Sequence, residues 1–394
     1  PRQLTHSAGV RERNADWIDL DSIVLISDLK SDQQVGRLDV EKPGSPLILT
    51  DDREDWLIDI ATSPGGRWAA ISDRTGRLHL FDLMSLNIRE VARAEAGEIV
   101  DFSFSPDEEW LAFSMPNENG MQSISIYSTR TSRTIPLSSG LTNDHSPKFG
   151  PDGSAIFFLS ERNLDPTIGN RDFEHVYLRT TEVFAAPLQS NAAPPLPEVI
   201  ELLQKESRNP LDEEEVQEGD PESPLRMKID PEGLLDRAVR LPIPPGNYEF
   251  VDAIPGGLLL MDRPTQGLLE EVWPEPPMGA ANGTLLRYDI QTASITPLME
   301  EVGEVSVARF APVALAYGNQ GFMMLALDEP GAPPLTWDVQ KVPMLVDVQA
   351  EWAQILDEAW RLQRDFFWAP NMRGVDWDAM RNKYAARLEQ IGTR

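Results

Sequence analysis

The sequence predicts an all-β architecture, a β-propeller, followed by a short α-helical segment. Three observations carry this expectation. A turn signature recurs about every 42 to 45 residues, and each copy is followed by an apolar run. Further strands in each repeat alternate polar and apolar residues. After Val348 the hydrophobic period changes from 2 to 3.6.

The repeat is read first. Its copies are Trp17-Ile18-Asp19, Thr62-Ser63-Pro64-Gly65, Phe104-Ser105-Pro106-Asp107 and Phe149-Gly150-Pro151-Asp152-Gly153. Proline presets φ for a turn, and Asp or Gly accepts its second half. The apolar runs that follow are Ile23–Asp28, Trp68–Asp73, Trp110–Ser114 and Ile156–Ser160. A third strand alternates, as in Leu78–Leu83 and Ile124–Tyr127, and a fourth starts after a polar loop at Glu90 or Thr134. Four short strands per 40–45 residues make a propeller blade. A β-sandwich would not repeat one turn at fixed spacing.

After Leu188 the pattern breaks. From Glu198 to Glu222 there are ten acids and two bases, with prolines at 194, 195, 197, 210, 221 and 224. Such a stretch buries too little apolar surface to order itself, so 189–226 reads as an acidic, Pro-rich insertion, helical in part near Val199–Leu203. Strands are expected again at Leu235–Leu241, Tyr248–Ala253, Leu258–Asp262, Leu285–Ile290 and Ile295–Met299. A last group covers Val305–Phe310, Ala314–Tyr317 and Phe322–Leu327. Six repeats are visible and seven blades are expected, the seventh assembled from the termini by pairing Arg2–Thr5 with the last blade. That pairing would remove a free edge. The propeller is assigned to 1–340.

The tail, 341–394, reads as the beginning of a helical domain. Trp352, Ile355, Leu356, Ala359, Leu362 and Phe366 share one helical face, with Glu351, Glu358 and Arg361 mainly opposite. Pro370 and Gly374 break the chain, and Asp376 suits an N-cap. Trp377, Met380, Tyr384, Leu388 and Ile391 form the next stripe. These faces are expected to pack on the propeller or on a further region. Trp352, Trp360, Trp368 and Trp377 read as core residues rather than ligand platforms.

Composition narrows function. With 64 acids against 35 bases the net charge is −29, so a basic nucleic-acid groove or binding to an anionic membrane is not expected. There is no cysteine, hence no disulfide, thiolate metal site or cysteine nucleophile; a cytoplasmic setting fits. No apolar run reaches membrane-spanning length. The four histidines are His6, His79, His145 and His175. His79 is expected to point outward or between blades, and the others lie in loops by this reading. Asp144-His145-Ser146 holds suggestive residue types, but neighbours on an extended segment face opposite ways and rarely make a triad. The Asp212–Glu215 run lacks calcium-loop spacing. No catalytic, cofactor-binding or metal-binding residue is assigned, and no cofactor is expected.

Two stretches carry a resemblance. The first runs Ser146-Pro147-Lys148-Phe149-Gly150-Pro151-Asp152-Gly153 and on through Ile156–Pro166. The second is Glu351-Trp352, then Glu358-Ala359-Trp360-Arg361-Leu362-Gln363-Arg364-Asp365-Phe366-Phe367-Trp368, then Met372–Trp377 and Lys383-Tyr384. Together they resemble the tricorn protease family. The resemblance implies the second, seven-bladed propeller of a large serine peptidase, running into the helical start of its core. It implies oligopeptide substrates. It also implies partner domains in the same protein, one PDZ-like and one α/β catalytic domain, with a homo-oligomer as a candidate assembly. The family's catalytic serine and histidine match no position of this chain. The propeller would then gate access to a core outside these residues. The alternatives are a non-enzymatic interaction scaffold and a propeller-gated peptidase of the prolyl oligopeptidase class. The helical segment argues against the latter, because a hydrolase domain would begin with strands.

Overall fold

The computed structural model describes residues 2–30, 32–50, 56–168, 175–201, 226–265, 282–319, 321–329, 331–337 and 346–392. The chain divides into two compact units. One comprises Pro1–Thr62, Gly66–Ala92 and Gln340–Arg394; the other comprises Ser63–Gly65 and Arg93–Val339.

The first unit holds two blades and the helical tail. Blade one is β1 (Glu12–Trp17), β2 (Ser22–Ser27), β3 (Gln34–Asp39) and β4 (Leu47–Ile48), paired antiparallel in that order. Blade two is β5 (Leu57–Thr62), β6 (Trp68–Asp73), β7 (Arg77–Asp82) and β8 (Ile88–Arg93). All six residues of β2 are buried, although the strand runs Ser-Ile-Val-Leu-Ile-Ser. A middle strand with a packed neighbour on each side reads as an unbroken apolar run rather than an alternation. Val24 and Ile26 of β2 pack with Ile60, Ile71 and Phe81 of blade two, so the core lies between blade faces.

The second unit holds four more four-stranded groups. Blade three is β9 (Phe102–Phe104), β10 (Trp110–Pro116), β11 (Gln122–Ser128) and β12 (Thr134–Pro136). Blade four uses β13 (Asp144–Phe149), β14 (Ala155–Glu161), β17 (Thr181–Pro187) and β18 (Val239–Arg240). A hairpin of β15 (Pro166–Ile168) and β16 (His175–Tyr177) is inserted between β14 and β17. Then come β19 (Tyr248–Ile254), β20 (Gly257–Asp262), β21 (Gly283–Asp289), β22 (Ser294–Val307), β23 (Val313–Gly318), β24 (Gly321–Ala326) and β25 (Leu335–Trp337) in one continuous sheet. β22 serves twice. Residues 294–302 pair with β21 as the last strand of blade five, and 302–307 pair with β23 as the first strand of blade six.

The turn signature has the chemistry its residues imply. Ser105 Oγ donates to Asp107 Oδ1 at 2.6 Å and accepts from Trp110 N at 3.0 Å. Gly153 takes φ +70°, which a glycine adopts without the steric cost of a Cβ.

All-β blades with a short helical end are therefore what the structure contains. Several finer expectations change. The strand expected at Leu235–Leu241 is a 3-10 turn at Leu235–Arg237 plus the two residues of β18. β18 completes blade four rather than opening blade five, so the acidic insertion lies inside that blade. Residues 197–201 are helical with Pro197 at the first position, where its missing N–H costs nothing. Residues 202–225, with the Asp212–Glu215 run, lie outside the described residues. Six four-stranded groups are present among the described residues. The expected pairing of Arg2–Thr5 with the last blade is not found there. Thr5 instead bridges Gly44 in parallel, beside the backbone bonds Gly44 N to Leu4 O (2.9 Å) and His6 N to Gly44 O (3.4 Å). The turn after β3 is the nearer partner for that short polar segment.

Candidate functional site

Five blades carry a bulge in the first strand, and blade five has two further shifts, at Gly283/Leu285 and Leu285/Leu286, where β21 meets β22. The first-strand register shifts occur at Arg13/Asp16, Leu57/Asp59, His145/Lys148, Phe250/Asp252 and Val302/Glu304. A bulge leaves one residue unpaired and re-aims its neighbours. In these first strands the residue that resumes pairing is charged every time: Asp16, Asp59, Lys148, Asp252 and Glu304.

First strands meet first strands within each unit, β1 with β5, then β9 with β13, β13 with β19 and β19 with β22. Polar bonds lace them. In the first unit Asp16 Oδ2 accepts from Thr62 N and Oγ1, both at 2.7 Å, and Asn14 Nδ2 donates to Asp59 Oδ1 at 2.8 Å. Arg13 donates to Gln33 Oε1 at 2.8 Å, to Ile58 O at 3.0 Å and to Leu57 O. Burial lowers the Arg13 pKa to about 10, and the charge of Arg11 adds to the effect. In the second unit Ser103 Oγ donates to Pro147 O at 2.7 Å. Burial raises the Asp252 pKa, against the pull of Lys148.

The helical tail meets the first blade through charges. Helix α1 (Val348–Phe366) is N-capped by Asp347, whose carboxylate accepts from Gln349 N and Ala350 N at 3.1 Å each. Its buried residues are Arg361 and Asp365, 7% and 6% exposed. Arg361 pairs with Asp28, Glu358 with Arg11, and Arg364 Nη2 with Asp32 Oδ1 at 2.8 Å. Gln354 Nε2 ties Glu358 at 2.6 Å. Burial works against the Arg364 charge, but hydrogen bonds to Asp365 and Asp32 outweigh it and raise its pKa.

Of the two partners expected for the apolar face of the tail, the first blade takes little of it. The charged side of α1 faces the blade, while Ile355, Leu362 and Phe366 are 45%, 38% and 51% exposed. Phe366 reaches Trp56 only edge-on, ring centroids 5.8 Å apart. Trp368, expected in the core, is 72% exposed and lies beside Arg373. Asp376 does cap helix α2 (Trp377–Ala385), accepting from Ala379 N at 2.9 Å. Asp28 closes the apolar run read from the sequence, and Asp32 carries no assignment there. The signal for them was the pair Arg361 and Arg364, three residues apart on a helix, which needs anionic partners somewhere.

The four histidines sort as follows. His6 lies in a loop and, with Thr5, Glu12, Asp347 and Glu351, lines a cleft of about 400 Å³. His175 is exposed on β16 rather than in a loop. His79 does not point outward. It is 5% exposed, and its Nε2 lies 3.0 Å from Asp73 Oδ2. Asp73 also accepts from Thr75 Oγ1 at 2.6 Å and Arg77 Nε at 2.8 Å. Burial alone would raise the Asp73 pKa, but His79, Thr75 and Arg77 outweigh it and hold the carboxyl well below its ordinary range.

His145 is on β13, not in a loop, and its Nδ1 does meet Ser146 Oγ at 3.0 Å. The bulge makes this possible, because Ser146 takes φ +52° and leaves the alternating pattern. The arrangement is still not that of an activated nucleophile. The Ser146 hydroxyl donates to Asp101 Oδ2 at 3.3 Å, and the His145 tautomer that satisfies both contacts donates its Nδ1–H to the serine oxygen. Among the described residues no group of three or more acidic or histidine side chains is arranged to hold a metal ion, and no helix is long and apolar enough to cross a membrane.

Comparison with known proteins places these features. Residues 1–325 match the family model of the tricorn protease second beta propeller domain, and residues 348–394 match that of the tricorn protease C1 domain. Tricorn protease homolog 1 of Streptomyces coelicolor is 28% identical over 347 residues, covering 86% of this chain and 32% of the relative. A putative tricorn-like protease C-terminal subunit of Sulfurisphaera tokodaii is 25% identical over 343 residues, covering 85% of this chain and 36% of the relative. A crystal structure of the tricorn protease shares the fold, with a TM-score of 0.82 at 18% identity, over 98% of this chain and 36% of that one. The chain spans about a third of the length of these relatives. With the second-propeller model matched along most of its length, the chain belongs to the tricorn protease family.

Proposed function

We propose that this chain is the propeller and core-entry portion of a tricorn-like serine peptidase. The propeller, 1–340, gates the access of oligopeptides, and 341–394 begins the helical part of a catalytic core lying outside these residues. The observation that carries the reading is the tandem order of two family models on one chain, second propeller then C1 domain. The partners in this reading are the remaining domains of the same protein, and the setting is cytoplasmic.

The test is a deletion in the full-length protein. Removing 1–340 is expected to leave cleavage of short peptides intact while longer, structured substrates gain access. An unchanged size preference rejects gating. The 394-residue chain alone is expected to hydrolyse no peptide. Hydrolysis that a serine-directed reagent abolishes would place the active site inside it. If no form of the full-length protein cleaves peptides, the interaction-scaffold reading takes over.

A further inference from the structure

Blades five and six share an apolar core, and that core stays open at one place. Met261 of β20 is 2% exposed, and Val251 of β19 and Val305 of β22 are half-buried in the same cluster. Beside them a pocket of about 260 Å³ opens between the two first strands. Both strands bulge there. Register passes from Phe250 to Asp252 and from Val302 to Glu304, so Val251 and Gly303 are the residues without a cross-strand partner. Both of them line the pocket. The two bulges thus put an apolar side chain on one wall and bare backbone on the other, and Gly303 has no side chain to fill the space.

The rim is held by one arginine. Arg263 donates from Nε to Glu249 Oε1 at 3.0 Å and from Nη2 to Glu249 Oε2 at 2.9 Å. Its Nη1 donates to Val302 O at 3.1 Å and its Nη2 to Gly303 O at 2.6 Å. These bonds tie the end of β20 to both bulged strands and fix the shape of the pocket. They also fix its charge. The bidentate pair sets Arg263 against Glu249, so neither is offered to a ligand. Glu304, exposed at the rim, then leaves it net negative. An anionic group entering here meets a repelling carboxylate, and the one base that lines the pocket is already engaged. An aliphatic side chain meets Met261, Val251 and Val305 instead.

We propose that this pocket is a subsite that seats one aliphatic side chain of leucine size from an extended peptide and disfavours peptides with an acid next to it. The inference rests on the reading that peptides pass the propeller, and it names the residue class held on the way. The volume suits that occupant. About 260 Å³ takes a leucine side chain with its flanking peptide groups, and falls short of the roughly 300–1,000 Å³ of sites that enclose a whole small-molecule ligand. So small a contact gives weak binding, in the millimolar range, and a seated peptide is released rather than trapped.

The test is an NMR titration of the 394-residue chain with methyl-labelled methionine. Met261 is one of twelve methionines, and Met261→Leu assigns its signal while keeping the floor apolar. N-acetyl-leucine amide should shift the Met261 signal in a saturable titration. N-acetyl-alanine amide lacks three carbons and should bind about tenfold more weakly. N-acetyl-leucyl-aspartate amide should bind more weakly than its leucyl-asparagine counterpart, and Glu304→Gln should erase that difference. Gly303→Val fills the pocket and Val251→Asn removes an apolar wall. Each should abolish the shift, and the unfolding transition of each variant shows whether it is folded. A silent Met261, an equal response to the leucine and alanine probes, or a response that survives both Gly303→Val and Val251→Asn overturns the proposal. The outcomes separate it from gating. A silent Met261 in a protein whose size limit changes on deletion of 1–340 rejects the subsite alone, and a responsive Met261 with an unchanged size limit rejects gating alone.

Discussion

Trp360 and Trp377 hold each other by reciprocal hydrogen bonds: Trp360 Nε1 donates to Trp377 O at 2.9 Å, and Trp377 Nε1 donates to Trp360 O at 3.0 Å. The two residues sit on α1 and at the first position of α2. The pair closes the corner between the helices, while Arg381 binds Asp357 at 2.8 and 2.9 Å alongside. Trp360→Phe keeps most of the apolar volume and deletes one donor, leaving a half-buried carbonyl of Trp377 without it. A loss of about 1 kcal/mol from the tail is expected. Hydrogen exchange should read it as lower protection over 348–392, with the blade strands unchanged.

Arg361 and Asp28 form a buried pair, so truncating one partner strands the other. Arg361→Met is expected to destabilise the seat of α1 by about 3–5 kcal/mol. Adding Asp28→Leu removes the stranded charge and should recover much of the loss. Urea unfolding and limited proteolysis of the tail give the double-mutant cycle. Additive effects of the two substitutions would contradict the pairing.

Asp73 makes stability depend on acid. Its folded pKa lies below the unfolded value of about 3.9. A depressed carboxylate contributes stability that is fully present above the unfolded value and is lost as pH falls through the folded one. Asp73→Asn should therefore cost about 1–3 kcal/mol at neutral pH. That difference from wild type should shrink as pH is lowered below about 4. Thermal unfolding of both proteins along a pH series measures it. A pH-independent gap would mean that shape, not charge, is what Asp73 supplies.

Gly66 sits where blade two turns after β5. Its φ is +75°, and a Cβ there would lie 2.3 Å from the Ile18 carbonyl oxygen. Neither the backbone angle nor a backbone atom can yield cheaply. Gly66→Ala is expected to cost about 2 kcal/mol or more, visible as a lower Tm. Gly120 has φ +79° but nothing within 4 Å, so Gly120→Ala tests the angle without the clash and should cost less.

Much of the fold was legible because each blade is specified locally. Ser105 and Asp107 build their own turn within five residues, and the buried run of β2 follows from its lying between two packed faces. Where the repeat was interrupted, reading failed. β18 is two residues long and joins β17 across some fifty residues, so no local pattern marks it. The His145–Ser146 contact was missed for a related reason. Alternation predicts opposite faces, and only the bulge at Ser146 breaks the rule.

The sequence by itself determined the blade unit, the change to helix after Val348, the cap at Asp376 and which residues of α1 share a side. Only the tertiary structure decided which side turns inward. Hydrophobic period reports that Ile355, Leu362 and Phe366 lie together, but burial depends on what the rest of the chain presents. Here the first blade presents Arg11, Asp28 and Asp32, more than three hundred residues away in sequence, and charged partners draw in Glu358, Arg361 and Arg364. Complementary charge at a buried surface is a relation between distant segments, and no pattern within the helix can encode it.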